Sequence, residues 1–281
     1  MCGRYATTAD PATLAAELDA LDETQQGGPA VAERSTSTVS GAPSAADAPS
    51  ERVRVGYNVA PTTTIATVVD RHDESANSES PLRRRIRAMR WGLVPVWSKE
   101  VKKGPLLFNA RAESAAEKPA FRSSMKNKRC LIPMDGWYEW VQGENSDSRG
   151  EKKLAKIPYF MTPRDGSRLY VAGVWSVWRD PEHRDAPPLL SCAVLTTDAI
   201  GALTSIHDRM PLAMPPERWD AWLSPDSAPG EELLHPPADF DSLIEIREVS
   251  TKVNHVRNEG PELIEPAGSE AERHPEQAQL F

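Results

Sequence analysis

The chain has 281 residues, of which 39% are hydrophobic, and its formal net charge is −8 at pH 7. No apolar run approaches the roughly 20 residues that a bilayer-spanning helix requires, so we expect no membrane-embedded part. Cys2, Cys130 and Cys192 are too few and too scattered for a disulfide scaffold or a structural zinc site. The first residues also lack the apolar segment of a secretory signal. We therefore expect a cytoplasmic, monomeric protein without a bound metal or cofactor.

The first predicted element is a helix that begins after Asp10. Asp10 is a residue type that caps helices, and Pro11 suits the first helical position. Leu14, Leu18 and Leu21 follow at helical spacing, which predicts that this face packs against the core.

Two segments contain almost no large apolar residues. Residues 22–51 consist mainly of Gly, Ala, Ser, Thr and Pro, and residues 267–281 are polar and acidic. Such segments bury too little apolar surface to offset the entropy that ordering costs. We predict a disordered insertion at 22–51 and a disordered tail at 267–281, with one domain between residues 2 and 266.

Within that domain, short runs rich in β-branched and aromatic residues predict strands. The predicted strands are 52–59, 64–69, 86–97, 130–141, 157–161, 169–178 and 189–197. Besides the helix after Asp10, helices are expected at Ser114, near Ala199 and over 215–223. This pattern predicts an α+β fold, with a barrel-like, mainly antiparallel sheet core and a few flanking helices. The chain has no internal repeat and no glycine-rich phosphate loop, which argues against Rossmann and P-loop enzymes.

The negative net charge conceals a strongly basic stretch. Residues 83–129 contain fourteen basic residues and three acidic ones, a net charge of +11. Such a cluster is typical of a nucleic-acid-binding surface. Arginine and lysine side chains that merely solvate several strands would produce the same count, so charge alone leaves both interpretations open.

Cys2 offers a chemistry that no other residue of the chain provides. Removal of Met1 by an aminopeptidase would leave a free amine and a thiol on one residue. The reference pKa of such an amine is near 8, well below that of a lysine, so it is a better nucleophile at neutral pH. It can form a Schiff base with an aldehyde, which the thiol then closes to a thiazolidine. The alternative is that Cys2 is an ordinary buried residue.

Three further motifs supply polar groups for such chemistry. Glu139, in GWYEW, shares one face of a predicted strand with Trp137, and contact with indole would raise the pKa of its carboxyl group. His207, in SIHDRMP, provides an imidazole. In FNARAE, Asn109 and Arg111 point to the same face of an extended segment, where they suit a polar substrate and a phosphate. An exposed carboxylate and a structural histidine are the alternatives.

Seven segments occur in one order along the chain: MCGRYA, YNVAP, RWGLVPVW, FNARAE, RCLIPMDGWYEW, IHDRMP and HVRNEGPELI. Together they resemble the SRAP family (SOS response-associated peptidase). The resemblance implies a protein that binds single-stranded DNA and captures the ring-opened aldehyde of an abasic site on Cys2 as a stable thiazolidine. It also implies weak lyase activity as a side path and a route to reversal of the crosslink.

The resemblance assigns a role to each matching residue. Cys2 is the nucleophile, Asn109 positions the sugar and the cysteine, and Glu139 and His207 move protons. The residues implied in DNA binding are Arg4, Arg111 and Arg209 at phosphates, Trp97 at a base, and Thr196 near the active site. Val96 precedes Trp97 where some relatives have a second tryptophan.

Two other functions remain open from the sequence. One is an amidase or peptidase in which the Cys2 thiolate attacks an amide, and the other is a non-catalytic module for single-stranded nucleic acid. Independently, the final residues QAQLF resemble a motif that binds replication sliding clamps. We expect Gln277, Leu280 and Phe281 to make that contact if it exists.

Overall fold

Strands dominate the computed structural model, which describes residues 2–24, 52–73, 80–101, 104–146 and 152–268. The strands in these ranges are β1 (Arg4–Thr7), β2 (Leu21–Asp22), β3 (Gly56–Val59), β4 (Thr64–His72), β5 (Leu82–Trp91), β6 (Asn109–Arg111), β7 (Arg129–Met134), β8 (Gly136–Ser146), β9 (Lys152–Pro163), β10 (Leu169–Trp178), β11 (Leu189–Asp198), β12 (Arg209–Pro211) and β13 (Ile244–Glu248). The α-helices are α1 (Pro11–Glu17), α2 (Ala112–Ala115), α3 (Arg122–Asn127), α4 (Trp219–Leu223) and α5 (Phe240–Leu243).

A five-stranded antiparallel sheet has the order β13-β9-β8-β1-β3. Strand β1, which begins two residues after Cys2, lies between β8 and β3. It pairs Arg4 with Tyr138 and Tyr5 with Trp137. The start of the chain is thereby fixed beside the GWYEW segment.

The second sheet curls into a ring. Its strands follow the order β12-β11-β10-β7-β4-β5-β2, and β6 pairs with β11 in parallel. A short parallel pairing of β11 with β5, through Ser191–Arg90 and Cys192–Trp91, closes the ring. The predicted α+β class with a barrel-like, mainly antiparallel core is confirmed, although so short a closure does not make a regular barrel.

Several predicted elements occur with altered boundaries. The helix capped by Asp10 is present, and the Asp10 carboxylate accepts from the Thr13 amide at 2.7 Å, but the helix ends at Glu17. Leu21, predicted on its core-facing side, instead lies in β2 and is exposed. The predicted strand 130–141 is interrupted at Asp135, where the chain passes from the ring to the other sheet. The helix expected to open at Ser114 begins at Ala112. A 3-10 turn, Gly201–Ser205, replaces the helix expected near Ala199.

Residues 22–24, which fall within the predicted disordered insertion, are ordered in the structure. Leu21–Asp22 pairs in parallel with β5, and the Glu23 carboxylate binds Arg85 and Arg87. These contacts order residues that composition alone assigns to the disordered segment. Residues 25–51 of the insertion and 269–281 of the tail, including the clamp motif, lie outside the described residues.

Several basic side chains of residues 83–129 form ion pairs or hydrogen bonds within the protein. Arg84 binds Asp70 and Asp220, and Arg85 and Arg87 share Glu23. Arg129 is buried and donates to five main-chain carbonyls, those of Met125, Lys126, Trp222, Ser224 and Ser227. The charge of residues 83–129 therefore overstates the cationic surface that is free to bind nucleic acid.

In the described part of the chain, no helix has the length and apolar character needed to cross a membrane. The apolar residues instead form buried clusters, and the largest of them fills the ring and contains Cys2 together with Trp91, Trp137 and Trp175.

Candidate active site at the start of the chain

Cys2 is fully buried immediately before β1. The Asn109 side chain donates from Nδ2 to the Cys2 carbonyl oxygen at 2.7 Å. Asn109 lies in β6, which β11 holds in parallel through the pair Val194–Asn109. The start of the chain is therefore bound by β8 on one side and by the Asn109 amide on the other.

The side-chain oxygen of Asn109 differs from the nitrogen in this respect. Asn109 Oδ1 is buried and has no hydrogen-bond partner among the described residues. A buried acceptor without a partner costs free energy, about 1–3 kcal/mol, unless another group satisfies it. The position beside Cys2 suits a hydroxyl group or an amine.

Glu139 is 4% exposed on β8. Strand alternation puts it on the same face as Trp137, and both side chains line one small pocket. The carboxyl group and the indole thus face the same pocket. Burial raises the pKa of the Glu139 carboxyl group to about 7, against a smaller lowering effect of the amino terminus. At neutral pH this carboxyl group can either donate or accept a proton.

His207 reaches the same pocket from the other side. It follows the 3-10 turn Gly201–Ser205 and lines the pocket with Glu139 and Arg209. Its Nδ1 lies 2.9 Å from the Arg209 amide nitrogen and 2.6 Å from Asp208 Oδ1. The neutral imidazole accepts from the amide, whereas the imidazolium donates to the carboxylate, so Nδ1 has a partner in either protonation state.

The Cys2 thiol is not a thiolate in this environment. Burial, reinforced by the charge of Glu139, raises the pKa of the thiol far above its usual range. A thiol with such a pKa reacts only after another group removes its proton. Glu139 is near enough to influence the thiol and has a pKa suited to that proton transfer.

Trp97, Val96 and Arg111 are exposed side chains, and we call these three residues the exposed rim. Trp97 is 65% exposed in the turn after β5, and Val96 beside it is 59% exposed. Arg111 is exposed at the end of β6, two residues after Asn109. The rim offers an indole face and a guanidinium to solvent, as single-stranded nucleic acid requires.

The other predicted DNA contacts are engaged within the protein. Arg4 donates to Asn58 and to the Val253 carbonyl, and its guanidinium lies 4.4 Å from the Trp140 ring centroid. Arg209 is 8% exposed and binds carboxylates.

Thr196 is fully buried, and its hydroxyl donates to the Ala110 carbonyl at 3.4 Å. The DNA-binding role of Thr196, like those of Arg4 and Arg209, stays a prediction.

A comparison of the chain against known families identifies its family. The model of the family described as SOS response associated peptidase (SRAP) matches residues 1–256. The chain belongs to the SRAP family. Within the described residues, no group of three or more His, Cys, Asp or Glu side chains is arranged to hold a metal ion.

Several curated relatives in the SRAP family are named abasic site processing proteins. Abasic site processing protein YoqW of Bacillus subtilis is 38% identical over 211 residues, which cover 74% of this chain and 85% of YoqW. Abasic site processing protein HMCES of Xenopus tropicalis is 30% identical over 281 residues, which cover 94% of this chain and 78% of HMCES.

Solved structures share the fold at lower identity. A protein from Bacteroides thetaiotaomicron superposes with a TM-score of 0.66 at 20% identity, covering 95% of this chain and 100% of the other. One from Bordetella bronchiseptica gives 0.59 at 22% identity, covering 89% and 100%.

Sequence reasoning missed the acidic partners of Arg209. Glu113 binds its guanidinium with both carboxylate oxygens, and Asp198 adds a third contact. Glu113 lies within the SRAP motif FNARAE, so a signal for it was present, but its partner is 96 residues away. Asp198 has no comparable signal in the sequence.

Proposed function

We propose that this SRAP chain captures abasic sites in single-stranded DNA by forming a covalent thiazolidine at Cys2. The observation that carries the proposal is the convergence of Cys2, Asn109 and Glu139 at the start of β1. Cys2 supplies the nucleophiles, Asn109 supplies an unsatisfied acceptor, and Glu139 supplies a carboxyl group with a pKa of about 7. The names of the curated relatives support abasic sites as the substrate class.

The proposed reaction begins once Met1 has been removed. The Cys2 amine attacks the C1′ aldehyde of the ring-opened sugar and forms a carbinolamine, which loses water to give a Schiff base. The thiol sulfur then bonds to C1′, and the nitrogen gains a proton as the C=N double bond is lost. The net change is the release of one water molecule. This order, amine before thiol, fits a thiol whose pKa burial has raised.

Glu139 and His207 divide the proton transfers in this proposal. Opening of the sugar ring and departure of water each need an acid, and attack by the thiol needs a base. Glu139 serves both purposes because its pKa is about 7. His207 faces the same pocket and keeps a partner at Nδ1 in either state, and we assign proton exchange to its Nε2.

Binding of the DNA strand is proposed for the exposed rim. Trp97 stacks on a base beside the lesion, and Arg111 contacts a phosphate close to Asn109. The Schiff base also permits β-elimination, which would appear as weak lyase activity. Reversal of the crosslink would use the same proton-transfer groups in the opposite direction.

The test uses an oligonucleotide with a single abasic site. After incubation and denaturation in SDS, wild-type protein should give a retarded band, and Cys2→Ala should give none. Cys192→Ala is the matched control, because it removes a buried thiol in the same apolar cluster and should retain the band.

Four results would contradict the proposal. A band that persists in Cys2→Ala assigns the crosslink to another residue, and DNA binding without any band supports a non-catalytic module. Mass spectrometry that finds Met1 retained on crosslinking-competent protein excludes the amine. Cleavage of peptides without a DNA adduct would favour the amidase alternative.

A further inference from the structure

The guanidinium of Arg209 is bound at both of its terminal nitrogens. Nη1 and Nη2 donate to the two carboxylate oxygens of Glu113 at 2.9 and 2.8 Å. Nη1 also donates to Asp198 at 2.5 Å, and Nη2 donates to the Thr196 carbonyl at 2.7 Å. The paired nitrogens that would grip a phosphate are therefore occupied by oxygens of this chain.

The partners of Arg209 belong to different elements. Glu113 is in α2, which directly follows β6 with Asn109, whereas Asp198 ends β11 and pairs with Arg209 in β12. The contact thus connects the strand that holds the Cys2 carbonyl to the segment that carries His207.

The main-chain amide of Arg209 also fixes the orientation and the tautomer of the His207 imidazole. Its amide donates to His207 Nδ1 at 2.9 Å, which places the proton of the neutral ring on Nε2. A displacement of Arg209 would therefore change both the orientation of the ring and the wall of the pocket that Arg209 lines.

We propose that Glu113 is a positioning residue for the abasic-site reaction, which through Arg209 keeps the His207 imidazole aligned with Asn109 and Glu139. The inference rests on the proposed function. Glu113 touches no reacting atom in it and acts through a two-point carboxylate–guanidinium contact, whose fixed geometry a single hydrogen bond could not supply.

A competing explanation makes Glu113 a screen that Arg209 leaves when a phosphate arrives. The two explanations differ for Glu113→Gln. Freeing the guanidinium strengthens DNA binding if Glu113 is a screen. It slows the reaction without changing affinity if Glu113 positions the imidazole.

The experiment compares wild type, Glu113→Gln and the control Glu117→Gln, which changes an exposed carboxylate four residues later. The crosslinking rate is measured at saturating abasic oligonucleotide, and the Kd is measured with the same strand carrying a non-reactive tetrahydrofuran. Glu113→Gln should lower the rate roughly 10- to 100-fold, since displacing a catalytic group by about 1 Å can cost that much. Its Kd should stay within about twofold of wild type, and Glu117→Gln should change neither.

An NMR titration of the His207 ring provides a measurement that does not depend on crosslinking. The pKa of His207 lies below its usual value because of burial, with a smaller lowering effect from Arg209. In Glu113→Gln the His207 titration should shift, because the charge and the amide of Arg209 beside the ring are displaced, and Glu113→Asp, which keeps a carboxylate, should recover most of the rate. Thermal unfolding of each variant confirms that it is folded.

An unchanged rate, an unchanged His207 titration or tighter DNA binding in Glu113→Gln overturns the positioning role. If wild type forms no crosslink, the proposed function fails instead, and the titration still decides whether Glu113 sets the imidazole.

Discussion

The exposed rim and the Glu139 pocket use similar residue types in opposite ways. On the rim, the indole of Trp97 and the guanidinium of Arg111 face solvent. In the pocket, Glu139 and Arg209 are each less than one-tenth exposed. An arginine within a family motif therefore does not by itself indicate a DNA contact, because burial and acidic partners decide what its guanidinium binds. We expect rim variants to alter affinity and pocket variants to alter rate.

The largest expected effect belongs to the pocket. Glu139→Gln should lower the crosslinking rate at saturating DNA by roughly 10²- to 10⁴-fold, the usual range for loss of a general acid or base. The Kd for a tetrahydrofuran oligonucleotide should stay constant, and the exposed Glu217→Gln should behave as wild type. A large loss of affinity in Glu139→Gln would remove the distinction between the two regions.

The pH dependence sharpens the assignment of Glu139. Its pKa of about 7 means that the acid form disappears as pH rises through 7, so the wild-type rate should fall there and the residual rate of Glu139→Gln should not. The folded pKa also exceeds the unfolded value, so the folded state binds the proton more tightly. Stability from this group is present at low pH and is lost as pH rises through about 7, which thermal unfolding of both proteins between pH 5 and 8 measures.

Trp97→Ala should give the largest effect on the rim. Stacking on one base contributes about 1–3 kcal/mol, so the Kd should rise roughly 5- to 150-fold while the rate at saturating DNA stays unchanged. Leu243→Ala removes a comparably exposed apolar side chain on α5 and serves as the control. Equal affinities for Trp97→Ala and wild type would rule out stacking at this position.

Arg111→Ala should have a smaller effect that depends on salt. Loss of one phosphate contact lowers the slope of log Kd against log salt by about 0.7 for single-stranded DNA. Arg122→Ala, an exposed arginine on α3, should leave the slope unchanged. Fluorescence anisotropy at several salt concentrations measures both, and matching slopes for wild type and Arg111→Ala would contradict the phosphate contact.

Thr196→Val should have the smallest effect. The hydroxyl is fully buried and makes one long hydrogen bond, so the Kd and the crosslinking rate should stay within about twofold of wild type. A strong loss of DNA affinity in this variant, at unchanged thermal stability, would show that the pocket opens to the strand.

Local signals predicted many elements of the fold. The cap at Asp10 and the strand at 169–178 follow from residue type and alternation, and both are present as predicted. Strands β1 and β12 were missed because each is short and is held by neighbours distant in sequence. The break at Asp135 was missed because both flanking strands are apolar, and only the passage between the two sheets separates them.

For the candidate site, the motifs identified Cys2, Asn109, Glu139 and His207 as candidate residues. Strand alternation placed Glu139 on the same face as Trp137, and both line the pocket. The acidic partners of Arg209 and the neutralised arginines of β5 could not be predicted in the same way. Their pairing depends on which distant strands become neighbours.

The sequence alone determined the strand-rich class, the aminothiol available at Cys2 and the set of polar groups that could serve it, because propensity, alternation and functional-group chemistry are local properties. Tertiary structure decided which charges stay free, which carboxyl group is desolvated and which amide atom lacks a partner. Those properties depend on burial and on contacts between residues far apart in the chain, and they exist only in the folded protein.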